Sequence, residues 1–359
     1  MFFYYLIFFL IVFFLFFSRN IKIPESYFLF IIAIVLILIS GLRRPGVDAD
    51  SLTYIDIFNQ FGSPAAYFKD YRINSYFEPA YYLIPSIVTI NFGLSYLWVF
   101  LIFALIGISL KFAAISRLTD FAILSVLVYY ANYFILHEMT QIRTGVAAAI
   151  LLLCIPEIQK RNFFRFLFLI SVGLLFHYSM IIFLPAYFLS STKINKKLYI
   201  ALLFVPFILY FIKFNIISVL QLFKLGLISD KIETYNALVE ADIMNGINVF
   251  NIIFMVQLIC CTVFIIKSEL LLKNNKYSIL LVKIYCIGAA SFVLFSNIPV
   301  FAFRINELLG SVQIILMPFI LYIIKPKYIA FALVIGFTLM TFLNLLIHVG
   351  LLRPYFAAR

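Results

Sequence analysis

The chain has 359 residues, of which 65% are hydrophobic and 12% charged, with a mean hydropathy of +1.12. Soluble domains run at about 45–50% apolar and about 25% charged, so a water-soluble globular protein is excluded. The net charge of +12 would point to nucleic acid in a soluble chain; here it reflects basic loops gathered on one side of a membrane.

Apolar runs fall at about 2–17, 27–42, 93–110, 121–136, 141–156, 163–176, 178–190, 198–214, 247–266, 278–295, 306–324 and 328–350. A bilayer core of ~30 Å takes ~20 helical residues, so the expected fold is all-α: a polytopic integral membrane protein of about 12 transmembrane or re-entrant helices. Residues 2–17 have no basic segment before them and no small-residue cleavage site after them, which reads as an uncleaved first span. Residues 79–92 (PAYYLIPSIVTINF) are too short and interrupted to span, and fit an interfacial or re-entrant helix. Residues 163–190 are too few for two full spans and too many for one. Two short helices meeting near His177, at the tip of a pocket, resolve this. Residues 1–359 read as a single membrane domain, with longer loops at about 43–92 and 215–246, the latter a surface helix or lid.

The connections alternate in charge. Arg19/Lys22, Lys111/Arg117, Lys160/Arg161/Arg165, Lys193/Lys196/Lys197, Lys267/Lys273/Lys276 and Lys325/Lys327 occupy one set, with Glu25, Asp120, Glu157 and Glu269 as its acids. The other set is longer and neutral overall. The positive-inside rule makes the basic set cytoplasmic, with both termini and the loops 43–92 and 215–246 outside. Cys154, Cys260, Cys261 and Cys286 lie within apolar runs, with neither zinc-site nor disulfide spacing.

Ionisable groups near apolar runs are functional candidates because inserting them is costly, roughly 2.5–3.5 kcal/mol at the bilayer centre. Four clusters stand out, all on the expected outer side. The first is GLRRPGVDADSLTYIDIF, followed by SYFEPAYYL. Arg43 and Arg44 offer guanidiniums for a phosphate, and Asp48, Asp50 and Glu78 offer carboxylates. Tyr54, Ile57, Phe58 and Phe61 form the apolar stripe of a short helix, capped by Asp50 or Ser51. A metal on Asp48-Ala-Asp50 is the weaker reading, since hard cations want more oxygen ligands. The second cluster is His137-Glu138-Met139-Thr140-Gln141-Ile142-Arg143. Arg143 enters the next apolar run and must snorkel, meet an anionic ligand, or pair, with Glu138 as the structural alternative. The third is His177, a base or a phosphate-binding cation if it lines a pocket, a hydrogen-bonded core residue otherwise. The fourth is Arg304-Ile305-Asn306-Glu307, just before the run at 306–324; Arg304 either pairs with Glu307 or joins Arg143 as a second forked donor. No P-loop, GxGxxG, GxSxG or CxxC occurs.

The order GLRRPGVDADSLTYIDIF, FEPAYYL, QIRTGVAAAILLLCI, FLISVGLLFHYSMIIFLPAYFL and FRINELLG resembles the EpsG family of Wzy-like polysaccharide polymerases, over about residues 40–325. His177-Tyr178-Ser179 keeps that family's histidine–serine spacing, and Arg143-Thr144-Gly145-Val146-Ala147 shifts its small residues slightly. The resemblance implies a multi-pass protein of the bacterial inner (plasma) membrane, similar to GT-C-type glycosyltransferases, that makes O-antigen, capsule or exopolysaccharide. Its substrate would be undecaprenyl-pyrophosphate-linked oligosaccharide, joined repeat to repeat on the outer face. The implied partners are membrane lipid, a chain-length regulator and a flippase, with no nucleic acid, metal or other cofactor. Under this reading Arg43, Arg44, Arg143 and Arg304, with Tyr54 and Glu138, bind substrate, while His177, Asp48, Asp50 or Glu78 is the base or sugar ligand. The rival readings are a lipid-linked oligosaccharide flippase or other transporter, an O-antigen ligase-type transferase, and a non-enzymatic scaffold. Neither half symmetry nor a charged midplane path favours the transporter.

Overall fold

The computed structural model describes residues 1–18, 23–69, 76–214 and 247–356; the lid expected at 215–246 lies outside the described residues. Regular structure among them is helical, apart from one isolated antiparallel bridge between Asp48 and Leu352. Apolar runs in lipid must satisfy their backbone internally, and the helix does so within one segment. In chain order come α1 (Phe2–Phe17), α2 (Glu25–Gly41), α3 (Ser51–Phe58), α4 (Pro64–Lys69), α5 (Pro79–Ser86, ending in a π turn to Asn91) and α6 (Tyr96–Leu118). Then follow α7 (Ala122–Val128, continuing as a π-helix to Thr140), α8 (Ile142–Gln159), α9 (Phe163–Phe176), a 3-10 helix (Tyr178–Phe188) and α10 (Lys196–Phe211). The remainder is α11 (Ile252–Ile266), α12 (Ser268–Asn274), α13 (Ser278–Leu294), α14 (Pro299–Gly310), short turns from Gln313 to Ile323, and α15 (Lys327–Leu343) with a π turn to His348.

Four described helical stretches are long and apolar enough to cross a membrane: Tyr96–Leu118, Ala122–Thr140, Ile142–Gln159 and Lys327–His348. The number rises to six if Ile252–Ile266 with Ser268–Asn274 (bent by 74°), and Pro299–Gly310 with Gln313–Ile323, each count as one span. The expected count of about twelve is therefore not reproduced. Helices such as α1 and α9 have 16 and 14 residues, short of the ~20 that a perpendicular crossing takes. Many apolar side chains nonetheless face outward, among them Phe2, Phe9 and Phe13 on α1 and Phe164 and Phe168 on α9. So much exposed apolar surface suits contact with lipid, not water.

The chain divides into two compact units, residues 1–187 with 313–359, and residues 188–312. In the first, α6 packs against α2 and α8, and α8 against α9. Gly41 lets α2 approach α6 closely, since a Cβ there would stand 2.8 Å from the Leu101 Cα. Almost every residue of α8 is buried. The expected break at His177 is present. α9 ends at Phe176, His177 is extended (φ −155°, ψ 122°), and the 3-10 helix starts at Tyr178. Gly173 makes room for this turn, because a Cβ there would lie 2.7 Å from Met180 Cγ.

Three sequence expectations need correction. Lys111, counted with a basic connection, lies inside α6 and is fully buried. The segment 137–143, expected as a loop, is the end of a π-helix, one non-helical residue (Gln141) and the start of α8. The run at 306–324 is not one helix: α14 begins at Pro299 and ends at Gly310, which puts Arg304 in mid-helix.

In the second unit α13 packs against α10, α11 and α14. Among its described residues, the paired polar side chains of the interior are neutral or carbonyl-capped. The Gln257 and Asn306 side-chain amides pair at 3.0 Å, and Lys283 Nζ donates to the Ser190 carbonyl at 2.7 Å.

Candidate functional site

The site begins where α2 ends. Arg43 is completely buried: its Nε donates to Asp48 Oδ2 at 2.8 Å, its Nη1 to the Ser40 carbonyl at 2.5 Å, and its guanidinium lies 4.5 Å from the Phe100 ring centre. Pro45-Gly46 turns the chain, with Gly46 in the left-handed region (φ 85°), which glycine adopts without strain. Asp48 Oδ1 then accepts the backbone N–H of Asp50 (3.0 Å) and of Ser51 (2.8 Å). The cap of α3 is therefore Asp48. The Asp50 side chain makes no capping bond, and the Ser51 hydroxyl instead accepts the Gly46 N–H at 2.7 Å. A single carboxylate thus ties Arg43 to the start of α3.

The C-terminal segment clips this loop from the other side. Ala49 N–H donates to the Leu351 carbonyl (3.1 Å), Arg353 N–H to the Val47 carbonyl (2.7 Å), and Tyr355 OH to the Ile39 carbonyl (2.9 Å). The Tyr4 hydroxyl donates to the Arg353 carbonyl at 3.1 Å. Both chain ends and the loop after α2 therefore share one end of the first unit.

α3 turns Tyr54 and Phe58 inward, where they meet Tyr81 of α5 at ring distances of 5.8 and 5.4 Å. Arg143, at the start of α8, projects into this aromatic wall. Its Nη1 donates to Glu78 Oε2 at 2.6 Å and its guanidinium stacks 4.2 Å from the Tyr81 ring centre. About a quarter of its side chain is open to the surroundings (26%) while Glu78 is nearly covered (7%), so the guanidinium can still meet a ligand. The second oxygen of Glu78 accepts the Tyr178 N–H at 3.4 Å, and the Tyr178 hydroxyl donates to the Phe77 carbonyl at 3.0 Å. The turn at His177 is thereby attached to the same carboxylate. Nδ1 of His177 accepts the Ser179 N–H at 3.1 Å, which leaves the ring proton on Nε2.

Electrostatics sort the acids. Asp50 is half-buried, and its carboxyl is held above the ordinary range, first by loss of hydration and then by the Asp48 charge, with Arg143 and Arg43 pulling the other way. Burial pushes the Tyr54 hydroxyl up to about 12, so it remains a neutral donor; burial raises Tyr81 as well.

Arg43, Asp48, Asp50, Tyr54, Glu78, Arg143 and His177 therefore come together, and Arg44 stands exposed beside them. The pairing of Arg143 with Glu138 does not occur; Glu138 is buried in an ion pair with Lys111 instead. Arg304 is exposed on α14 in the second unit. The buried Lys111–Glu138 pair was not among the sequence candidates; an isolated lysine at the end of a long apolar run is the signal that points to it.

The apolar surface and long helices define a membrane protein, with an arginine–carboxylate–tyrosine cluster at one end of a helical unit. More particularly, the chain belongs to the EpsG family, which it matches over residues 26–356. It is also similar to the amylovoran biosynthesis protein AmsC of Erwinia amylovora, at 23% identity over 331 residues, 88% of this chain and 84% of that one. No solved structure matches it.

Proposed function

We propose that this protein is a polysaccharide polymerase of the bacterial plasma membrane, joining polyprenyl-pyrophosphate-linked oligosaccharide repeats on the extracytoplasmic face. Membership of the EpsG family and the similarity to an amylovoran biosynthesis protein support the class of activity. The observation that carries the mechanism is the part-open Arg143, held by Glu78 and Tyr81 beside Tyr54 and Asp50. Excess basic charge in the opposite connections supports the outer placement of this end.

In the reaction, an acceptor sugar hydroxyl attacks the anomeric carbon of the donor chain. The bond from that carbon to the pyrophosphate oxygen breaks, and the polyprenyl pyrophosphate leaves with the electron pair. Charge grows on the leaving oxygens, where a fixed guanidinium stabilises it. Arg143 supplies that donor, with Arg44 at the exposed edge and the Tyr54 hydroxyl as a neutral hydrogen-bond donor. The hydroxyl proton needs a base. Asp48 is committed to Arg43 and two backbone amides, and Glu78 to Arg143. Asp50 keeps its carboxylate free of such bonds and has a raised affinity for a proton, which suits a general base. His177, in the turn fastened to Glu78 through the Tyr178 N–H, is the second candidate for base or sugar ligand. Arg43 with Asp48 holds the loop.

The test is an electrophoretic size profile of surface glycan from a strain lacking the chain. Loss of the long ladder with a single capped repeat remaining supports polymerisation. Lipid-linked repeats accumulating on the cytoplasmic leaflet would instead make the protein a flippase.

A further inference from the structure

The ion pair between Lys111 and Glu138 is almost wholly enclosed, with side-chain exposures of 0% and 1%. Three helical segments close on it. Lys111 comes from α6 and Glu138 from the π-helix, and Lys111 Nζ also donates to the Gly145 carbonyl in the first turn of α8, at 2.7 Å. Two glycines make the space. A Cβ at Gly107 would stand 2.6 Å from Glu138 Oε2, and one at Gly145 would stand 3.1 Å from the same atom. The pair is also wired to the loop after α2. The Ser40 hydroxyl donates to the Glu138 backbone carbonyl at 2.6 Å, and the Ser40 carbonyl accepts from Arg43, which holds Asp48. One unbroken run of polar contacts thus links Asp48, Arg43, Ser40, Glu138, Lys111 and Gly145, and it ends two residues from Arg143.

Burial alone does not call for this arrangement, since a matched apolar pair is often as stable as a buried ion pair. A buried charged pair does resist displacement, because a group that moves off its partner is left charged and unpaired. We propose that Lys111 is a positioning residue: by holding the first turn of α8 against Glu138 it places Arg143 where the lipid pyrophosphate binds. This rests on the polymerase reading given above. Lys111 does not touch substrate; it acts through Arg143.

The test is a double-mutant cycle on the full chain in nanodiscs, measuring kcat/KM for elongation of undecaprenyl-pyrophosphate-linked repeat units. Lys111→Met is expected to lower kcat/KM by about 10- to 100-fold when Arg143 is present, the scale of a small misplacement of a catalytic contact. In an Arg143→Ala background the same substitution is expected to change it less than about twofold, because residues acting through one another are not additive. Losses that multiply in full would overturn the positioning role while leaving the polymerase reading intact. An Arg143→Ala protein with undiminished kcat/KM would overturn the pyrophosphate role of Arg143, and this proposal with it, whereas a wild-type protein that elongates nothing would overturn the polymerase reading itself. If Lys111→Met fails to accumulate, Lys111→Met with Glu138→Met removes both charges together, and the same cycle is run on that pair.

Discussion

The two units treat buried polarity differently. Residues 1–187 with 313–359 hold the buried ion pairs Arg43–Asp48 and Lys111–Glu138, linked through Ser40, and the part-open pair Arg143–Glu78. Residues 188–312 bury a neutral amide pair, Gln257 with Asn306, and a lysine capped by a carbonyl, Lys283 on Ser190. Either scheme lets polar groups sit among apolar helices. Among the described residues, only the first concentrates opposite charges around a part-open guanidinium. The difference teaches that the ion pairs do more than satisfy polarity, since an amide pair or an apolar one would do that with less desolvation.

Substitutions should separate the two regions. The largest effect is expected for Asp50→Asn, a loss of about 10²- to 10⁴-fold in elongation if this carboxylate is the base. With wild type, kcat/KM should fall as pH drops through a pKa above the usual carboxylate range, the direction set by Asp50 burial; the variant's pH profile should lack that limb. Asp50 also bears on stability with the opposite sign. Between its ordinary and raised values the folded chain keeps a proton that the unfolded chain has released, so stability falls as pH rises through that window. Thermal unfolding in detergent of wild type against Asp50→Asn checks this, and an unchanged pH dependence would contradict it.

Next comes Arg143→Ala, expected to lose about 10²- to 10³-fold, the usual result of removing one donor from a developing negative charge. Arg143→Lys should recover only part of this, because an ammonium lacks the fork. Arg43→Met is expected to act on stability instead. It leaves Asp48 buried and unpaired, at a cost of about 3–5 kcal/mol, readable as a lower unfolding temperature. The double change Arg43→Met with Asp48→Leu should recover much of that stability while activity stays low, because α3 loses its cap. Smallest is the second unit's pair: Gln257→Leu with Asn306→Leu should change elongation less than about threefold, since no charge is stranded. A loss as large as that of Arg143→Ala would erase the contrast between the units.

Much of this could be read along the chain. The apolar runs gave the helices, and the shortness of residues 163–190 between two basic connections gave the break at His177. The charged residues flanking those runs supplied most of the cluster around Arg143. What could not be read was partnership. Arg143 and Glu78 are 65 positions apart, and Lys111 and Glu138 are 27 apart; no local periodicity links them. An apolar run ending at residue 110 places Lys111 in a connection, whereas a buried partner lets α6 continue to Leu118. The π-helix from Tyr129 to Thr140 is buried on nearly all sides, polar residues included, so it shows no single apolar stripe from which its register could be judged.

The most direct test of the central claim is the glycan size profile of a strain whose only copy carries Arg143→Ala, compared with wild type at matched membrane levels of the protein. The account predicts single capped repeats with the long ladder gone. A ladder of wild-type length and intensity would contradict it.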